Sequence, residues 1–167
     1  MLVNFTQLPD SAKVWVYQSS RTFTAFEIDE LNDSISAFLT DWTAHGQDLQ
    51  AGFLLPYNRF IVLGVNQDLH AASGCSIDAS VRFIKSLESI YDLTLLDNTL
   101  VLYKQEQAIQ KLTLLEFKKI ATEGNFRSDT IVFNNLVKTK GEFVSNWETT
   151  AQNSWHNRFL SPKSQAV

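Results

Sequence analysis

The chain has 167 residues, 44% hydrophobic and 19% charged, with a formal net charge of −4. That is enough apolar material for one domain with a sizeable core or for two small ones. The acidic balance, and the scatter of the 14 Lys and Arg along the chain, exclude the basic stripe of a nucleic-acid binder.

Val14 to Tyr17 (VWVY) is β-branched and aromatic and predicts a strand, closed by the polar QSSR. In TAFE, Thr24 and Glu27 have the spacing of a capping box. Phe26, Leu31, Ile35, Phe38, Leu39 and Trp42 then fall close to one face, which predicts a helix from about Ala25 to Trp42. The loop TAHGQDLQ follows. Gly52 to Leu55 and Phe60 to Val65 predict two strands joined by PYNR, where Asn58 tolerates a positive φ. The second of these strands is apolar on both faces and is expected at the centre of its sheet. Past the loop NQDLHAASGC, Ser76 is the expected N-cap of a second helix. Its apolar stripe is Ile77, Val81, Ile84, Leu87 and Tyr91, with Asp78, Arg82, Lys85 and Ser89 opposite. Leu100–Tyr103 and Ala108–Leu112 predict a strand and its hairpin partner, which could close the first sheet, belong to the unit that follows, or both.

The order β-α-β-β-α-β predicts an α+β chain whose residues 1–104 form a ferredoxin-like unit with an antiparallel sheet. Residues 105–167 are expected to form a small extension packed on it. There TLLE (113–116) is a second capping box, Leu114, Leu115, Phe117, Ile120 and Ala121 supply a short helix, and Gly124 stands at its C-terminal end. Thr130–Phe133 predicts a strand. Phe143, Trp147, Trp155 and Phe159 are spaced to anchor a loop-rich tail onto a core, and the closing SPKSQAV reads as frayed.

An antiparallel sheet of this order brings the loops at 43–50 and 66–75 to the same end. His45, His70 and Cys75 then become neighbours. A thiolate is favoured at a helix N-terminus, an imidazole nearby could serve as its base, and Ser73, Gly74 and Ser76 with the first-turn amides could hold a small anion. The competing reading makes Cys75 a small buried residue beside a turn glycine, because free cysteines are among the most buried residue types. His45 precedes Gly46 and reads as a satisfied turn residue sooner than a catalytic one, and His156 as a packing or surface residue. Arg21 and Arg59 belong at the opposite end of the sheet. One cysteine and three dispersed histidines lack the spacing of a metal site, and no cofactor is expected. The lone cysteine forms no internal disulfide. MLVNFTQLPD lacks the basic start and long apolar run of a leader, and no stretch approaches the roughly 20 apolar residues of a membrane span. A cytoplasmic protein without a membrane span is therefore expected.

The stretch 112–137, LTLLEFKKIATEGNFRSDTIVFNNLV, resembles the second half of a bacterial GYF-like domain. Leu112, Glu116, Phe117, Gly124, Asp129, Thr130, Val132 and Phe133 fill the positions of that pattern. The Gly-Pro that precedes its helix is replaced by Gln110-Lys111, in a region that helps eukaryotic GYF domains bind proline-rich peptides. The chain as a whole resembles an uncharacterised family of small bacterial proteins. WTAHG, YNRFIVL, SGCSIDASVRFI, DTIVFNNLV and SWHNRF carry that similarity. The family is often labelled an ABC-transporter ATPase, but a phosphate-cradling loop needs Gly-Lys, and no glycine here is followed by lysine. The expectation is a non-catalytic binding or interaction protein with a protein partner. The alternative is a thiol-centred enzyme or small-anion-binding protein using Cys75 and His45.

Overall fold

The computed structural model describes residues 1–162; the expected frayed end lies mostly outside the described residues, at 163–167. The chain divides into two units, Met1–Leu96 with Val137–Phe143, and Asp97–Leu136 with the chain from Val144 onward. It is a mixed α+β protein with antiparallel sheets.

In the first unit the elements are β1 (Lys13–Gln18), α1 (Ala25–Asp41), β2 (Thr43–Ala44), β3 (Gln47–Asp48), β4 (Ala51–Leu54), β5 (Phe60–Val65) and α2 (Gly74–Tyr91). The main sheet has the order β1-β5-β4, antiparallel at both seams. β5 is central and every one of its residues is buried, as a strand apolar on both faces requires. Ile61, Leu63 and Val65 join Leu31, Ile35, Leu39, Ile84 and Leu87 of the two helices in one core. Gly64 serves the other face. A Cβ there would lie 2.8 Å from Leu8 Cδ1 and 2.9 Å from Phe5 Cε2, so the N-terminal segment reaches the sheet only over a glycine.

Of the two places open to Leu100–Tyr103, the structure takes the second: it pairs in the sheet of the second unit and not beside β1. Residues 138–140 lie against the outer edge of β1 instead. Val14 N–H donates to Lys138 O at 2.9 Å, Lys140 N–H donates to Ala12 O at 2.8 Å, and Lys13 bridges Thr139 antiparallel. The Lys140 ammonium then donates to the carbonyls of Leu8 (2.5 Å) and Thr6 (3.0 Å). Leu100–Gln105 is drawn away because its hairpin partner is a few residues distant, so that ladder closes with little loop entropy.

α1 begins with the capping box of Thr24 and Glu27 that the sequence suggests. α2 begins three residues earlier than expected. Ser73, not Ser76, is the N-cap; its hydroxyl accepts from Ser76 N–H at 3.1 Å, and its own N–H donates to Ser76 Oγ at 2.7 Å. The expected stripe holds at Ile84, Leu87 and Tyr91 and fails before them. Ser76, Ser80, Ile84, Leu87 and Tyr91 are buried, while Val81 is exposed. Ser80 tolerates burial because its hydroxyl donates to Ile77 O at 2.6 Å, and the buried Tyr17 phenol meets it there.

The second unit contains β6 (Leu100–Gln105), β7 (Ala108–Thr113), α3 (Leu114–Thr122), β8 (Ile131–Phe133) and β9 (Glu148–Thr150), with sheet order β7-β6-β8-β9. α4 (Lys140–Asn146) starts in the first unit and ends in the second. Thr113 caps α3, and Phe117, Phe126 and Val132 form the buried centre, with Trp155 and Phe159 packed against it. The spaced aromatics do pin the tail, through 3-10 turns at Ala151–Asn153 and Trp155–Phe159. Asn135 Oδ1 accepts the Trp147 indole N–H at 2.9 Å.

Candidate functional site

α1 and α2 lie antiparallel. The end of α1 meets the start of α2 where Trp42 Nε1–H donates to Ser76 O across a buried 2.8 Å bond. Near the start of α1, Arg21 Nη2–H donates to Tyr91 O at 2.5 Å. Between the helices runs an open groove of about 780 Å³. Phe38 and Phe83 stack in it with centroids 4.4 Å apart and planes 1° from parallel. Trp42 adds a third ring, 5.4 Å from Phe38, and Ala37 and Ala79 leave room above the rings. Polar groups complete the lining, among them Ser34, Asp41, His45 and Cys75.

Local chain geometry sets these polar groups. His45 and Gly46 are the two turn residues between β2 and β3, with φ of 52° and 77°. A two-residue hairpin demands positive φ at both positions, so the imidazole is carried out at the apex and is exposed. Cys75 is the second residue of α2, within the helix, and its thiol is exposed, not buried. Ser73 and Ser76 also line the groove, but their hydroxyls are occupied by the helix cap, and Ser76 additionally donates to Ser73 O at 2.8 Å. His70 and Gly74 are exposed and lie outside the lining. The residues suggested by sequence thus divide. His45, Cys75, Ser73 and Ser76 share one groove; His70 and Gly74 do not belong to it.

The aromatic part of the groove was hidden from the sequence. Phe38 and Trp42 read as core residues on a helical stripe, and Phe83 lies off the stripe of Ile77, Val81, Ile84, Leu87 and Tyr91. The repeat Cys75, Ala79, Phe83 at four-residue steps was the available signal.

Other polar groups have structural partners. Arg21 binds Glu27 with two bonds of 2.8 and 2.9 Å, and this pairing above all holds the Glu27 carboxyl at about 2. Arg59 is buried and donates to the carbonyls of Ser19 and Ser20, both at 3.0 Å; burial lowers its pKa. Arg21 contacts the last residue of α2, at the opposite end of that helix from Cys75. In the second unit His156 is 1% exposed, stacks on Trp155 at 3.7 Å and lies 2.5 Å from Ser154 Oγ through Nδ1. Burial pushes its pKa down to about 4, so it packs as a neutral ring at pH 7.

Among the described residues no group of three or more His, Cys, Asp or Glu is placed to hold a metal ion, and no helix is long and apolar enough to cross a membrane. No family model, curated protein or solved structure matches the chain.

Proposed function

We propose that this chain is a non-catalytic binding protein whose partner is received in the α1–α2 groove. The observation that carries this reading is the groove itself, with three aromatic rings, two alanines and a few polar groups in an open trough. Sites of that make-up gain contact from the apolar surface and orientation from the polar edge. The Ser73 and Ser76 hydroxyls beside Cys75 are held in the cap, which takes them out of use as nucleophiles. The test uses the single thiol as a reporter. A peptide bound in the groove should slow alkylation of Cys75 by about tenfold, and Ala79→Arg should remove that protection. Binding that leaves Cys75 as reactive as before, in both proteins, places the site elsewhere and ends this reading.

The second reading is a thiol-centred enzyme or small-anion-binding protein using Cys75 and His45. Its support is that an exposed thiol and an imidazole line the same groove. The alkylation rate across pH separates the two. An inflection well below pH 8 that moves on His45→Ala favours the thiol reading, and ordinary thiol behaviour rejects it.

We further read the first unit as ferredoxin-like. Its support is the order β1-β5-β4, with residues 138–140 standing where the fourth strand would be. The GYF-like reading of the second unit is supported by the succession of hairpin, α3 and β8, with Phe117 and Phe133 buried. The uncharacterised bacterial family remains the proposed affiliation, without ATPase activity, and the unpaired exposed thiol suits a reducing cytoplasm.

A further inference from the structure

The helix faces that line the groove continue beyond the aromatic cluster, with apolar residues and acids together on α1. On α1, Phe26, Glu30, Asp33, Ala37 and Asp41 recur at steps of three and four and so share one face. Ala37 and Asp41 line the groove, and Phe26 carries the face to the first turn, where it is 71% exposed. On α2 the same steps link Cys75, Ala79, Phe83, Ser86 and Ile90, and Ile90 is 67% exposed. Because the helices are antiparallel, Phe26 and Ile90 stand at one end and Asp41 and Cys75 at the other. The seam therefore has the length of the 17-residue α1, roughly 25 Å at 1.5 Å per residue.

Charge states what kind of occupant suits it. α1 carries Glu27, Asp29, Glu30, Asp33 and Asp41 and no lysine or arginine. Glu27 is paired to Arg21, and the other four acids are exposed. On the flank of α2, Arg82 is offset by Asp78 one turn before it. A second copy of the chain in a two-fold contact would set this acidic face against itself. An anionic lipid surface would be repelled by it.

We infer that the α1–α2 face docks a basic amphipathic helix, whose apolar stripe lies on Phe38, Ala79 and Phe83 and whose lysines or arginines stand over Glu30, Asp33 and Asp41. The inference rests on the proposed binding role of the groove and adds the chemistry of the partner. Charge matching of this kind selects the partner and its direction along the seam.

The test is fluorescence anisotropy with the full chain at near-physiological salt. Three labelled peptides are compared: a Leu/Lys amphipathic helix, its Leu/Glu twin, and a scrambled Leu/Lys peptide. The ordered basic peptide should bind at least about tenfold more tightly than the other two. The triple variant Glu30→Lys/Asp33→Lys/Asp41→Lys, at three exposed positions, should lose about tenfold for it and gain for the acidic twin. Circular dichroism checks that the variant is folded. Equal binding of the scrambled peptide, or no change in the triple variant, overturns the inference. If the acidic twin binds the unaltered chain and loses that binding in Ala79→Arg, the charge inference falls while the groove reading stands. If Ala79→Arg alters the binding of no peptide, both fall.

Discussion

Both units bury aromatic rings, Tyr17, Phe23, Trp42 and Tyr91 in the first and Phe117 and Phe126 in the second, but the first sets them among many more aliphatic residues. The first packs Leu31, Ile35, Leu39, Ile61, Leu63 and Ile84 between a sheet and helices of 17 and 18 residues. The second sets the edges of Phe126, Trp155, His156 and Phe159 against Phe117, at centroid distances from 5.0 to 6.2 Å. Its helix has 9 residues, and its three-residue β8 meets β6 at one register pair, Tyr103 with Val132. Long elements distribute burial over many aliphatic residues. Short ones reach comparable burial only with large rings, each contributing a larger share. The second unit should therefore depend more sharply on single side chains.

The largest expected effect is at Phe117. Phe117→Ala should cost about 3–5 kcal/mol, since the ring is wholly buried and four others lean on it. Denaturant unfolding read separately in each unit, for example by hydrogen exchange, should place the loss in the second. A loss below about 1 kcal/mol would break the comparison, because it would mean that the cluster repacks freely.

Acid should then separate the units. His156 keeps its proton off down to about 4 in the fold, whereas the unfolded chain takes one near 6.5. Between those values the unfolded state binds more protons, so stability present above pH 6.5 is lost as the pH falls toward 4, by about 3 kcal/mol in all. His156→Gln should flatten that slope. In the first unit the depressed group is Glu27. Its contribution is present above about 4.5 and disappears only as the pH falls through about 2. Unfolding followed over both windows should show two separate acid limbs in the wild type, with the lower one missing in Glu27→Gln. A single limb common to both variants would contradict the assignment.

Gly52 tests the sheet of the first unit from its other face. A Cβ there would sit 2.8 Å from Val3 O and 2.9 Å from Phe5 Cα, both backbone atoms that cannot rotate aside. Gly52→Ala should cost about 1–3 kcal/mol by thermal or denaturant unfolding. A neutral result would show that the N-terminal segment moves off the sheet at little cost. The smallest effect is at the α2 cap. Ser73→Ala should cost about 1 kcal/mol and Ser76→Ala should not reproduce it through capping, because Ser73 supplies the cap oxygen. Faster exchange of the Ala79 N–H in Ser76→Ala, with the Ser76 N–H unchanged in Ser73→Ala, would return the cap to Ser76.

What the sequence determined by itself is what neighbouring residues decide. The Thr24–Glu27 box, the hairpin of Leu100–Gln105 with Ala108–Thr113, and the doubly apolar strand Phe60–Val65 all rest on contacts or periodicities within a few residues. The α2 start escaped because two serines three residues apart both satisfy the local rule. Ile84 and Leu87 meet the core on either choice of cap, and Ser80 meets the Tyr17 phenol. Ser73 as cap places Cys75 inside the helix, where its thiol is exposed, and the packing of the two helices sets Phe83 on Phe38. The partner for the free edge of β1 was likewise a tertiary decision. Residues 138–140 lie more than a hundred positions from β1. They are held there by two backbone bonds and by a lysine that reaches the Leu8 and Thr6 carbonyls, none of which leaves a periodic trace in the chain. Sequence patterns record which faces must leave water; which surface covers each of them is settled by competition among distant segments for the same hydrogen bonds and apolar area.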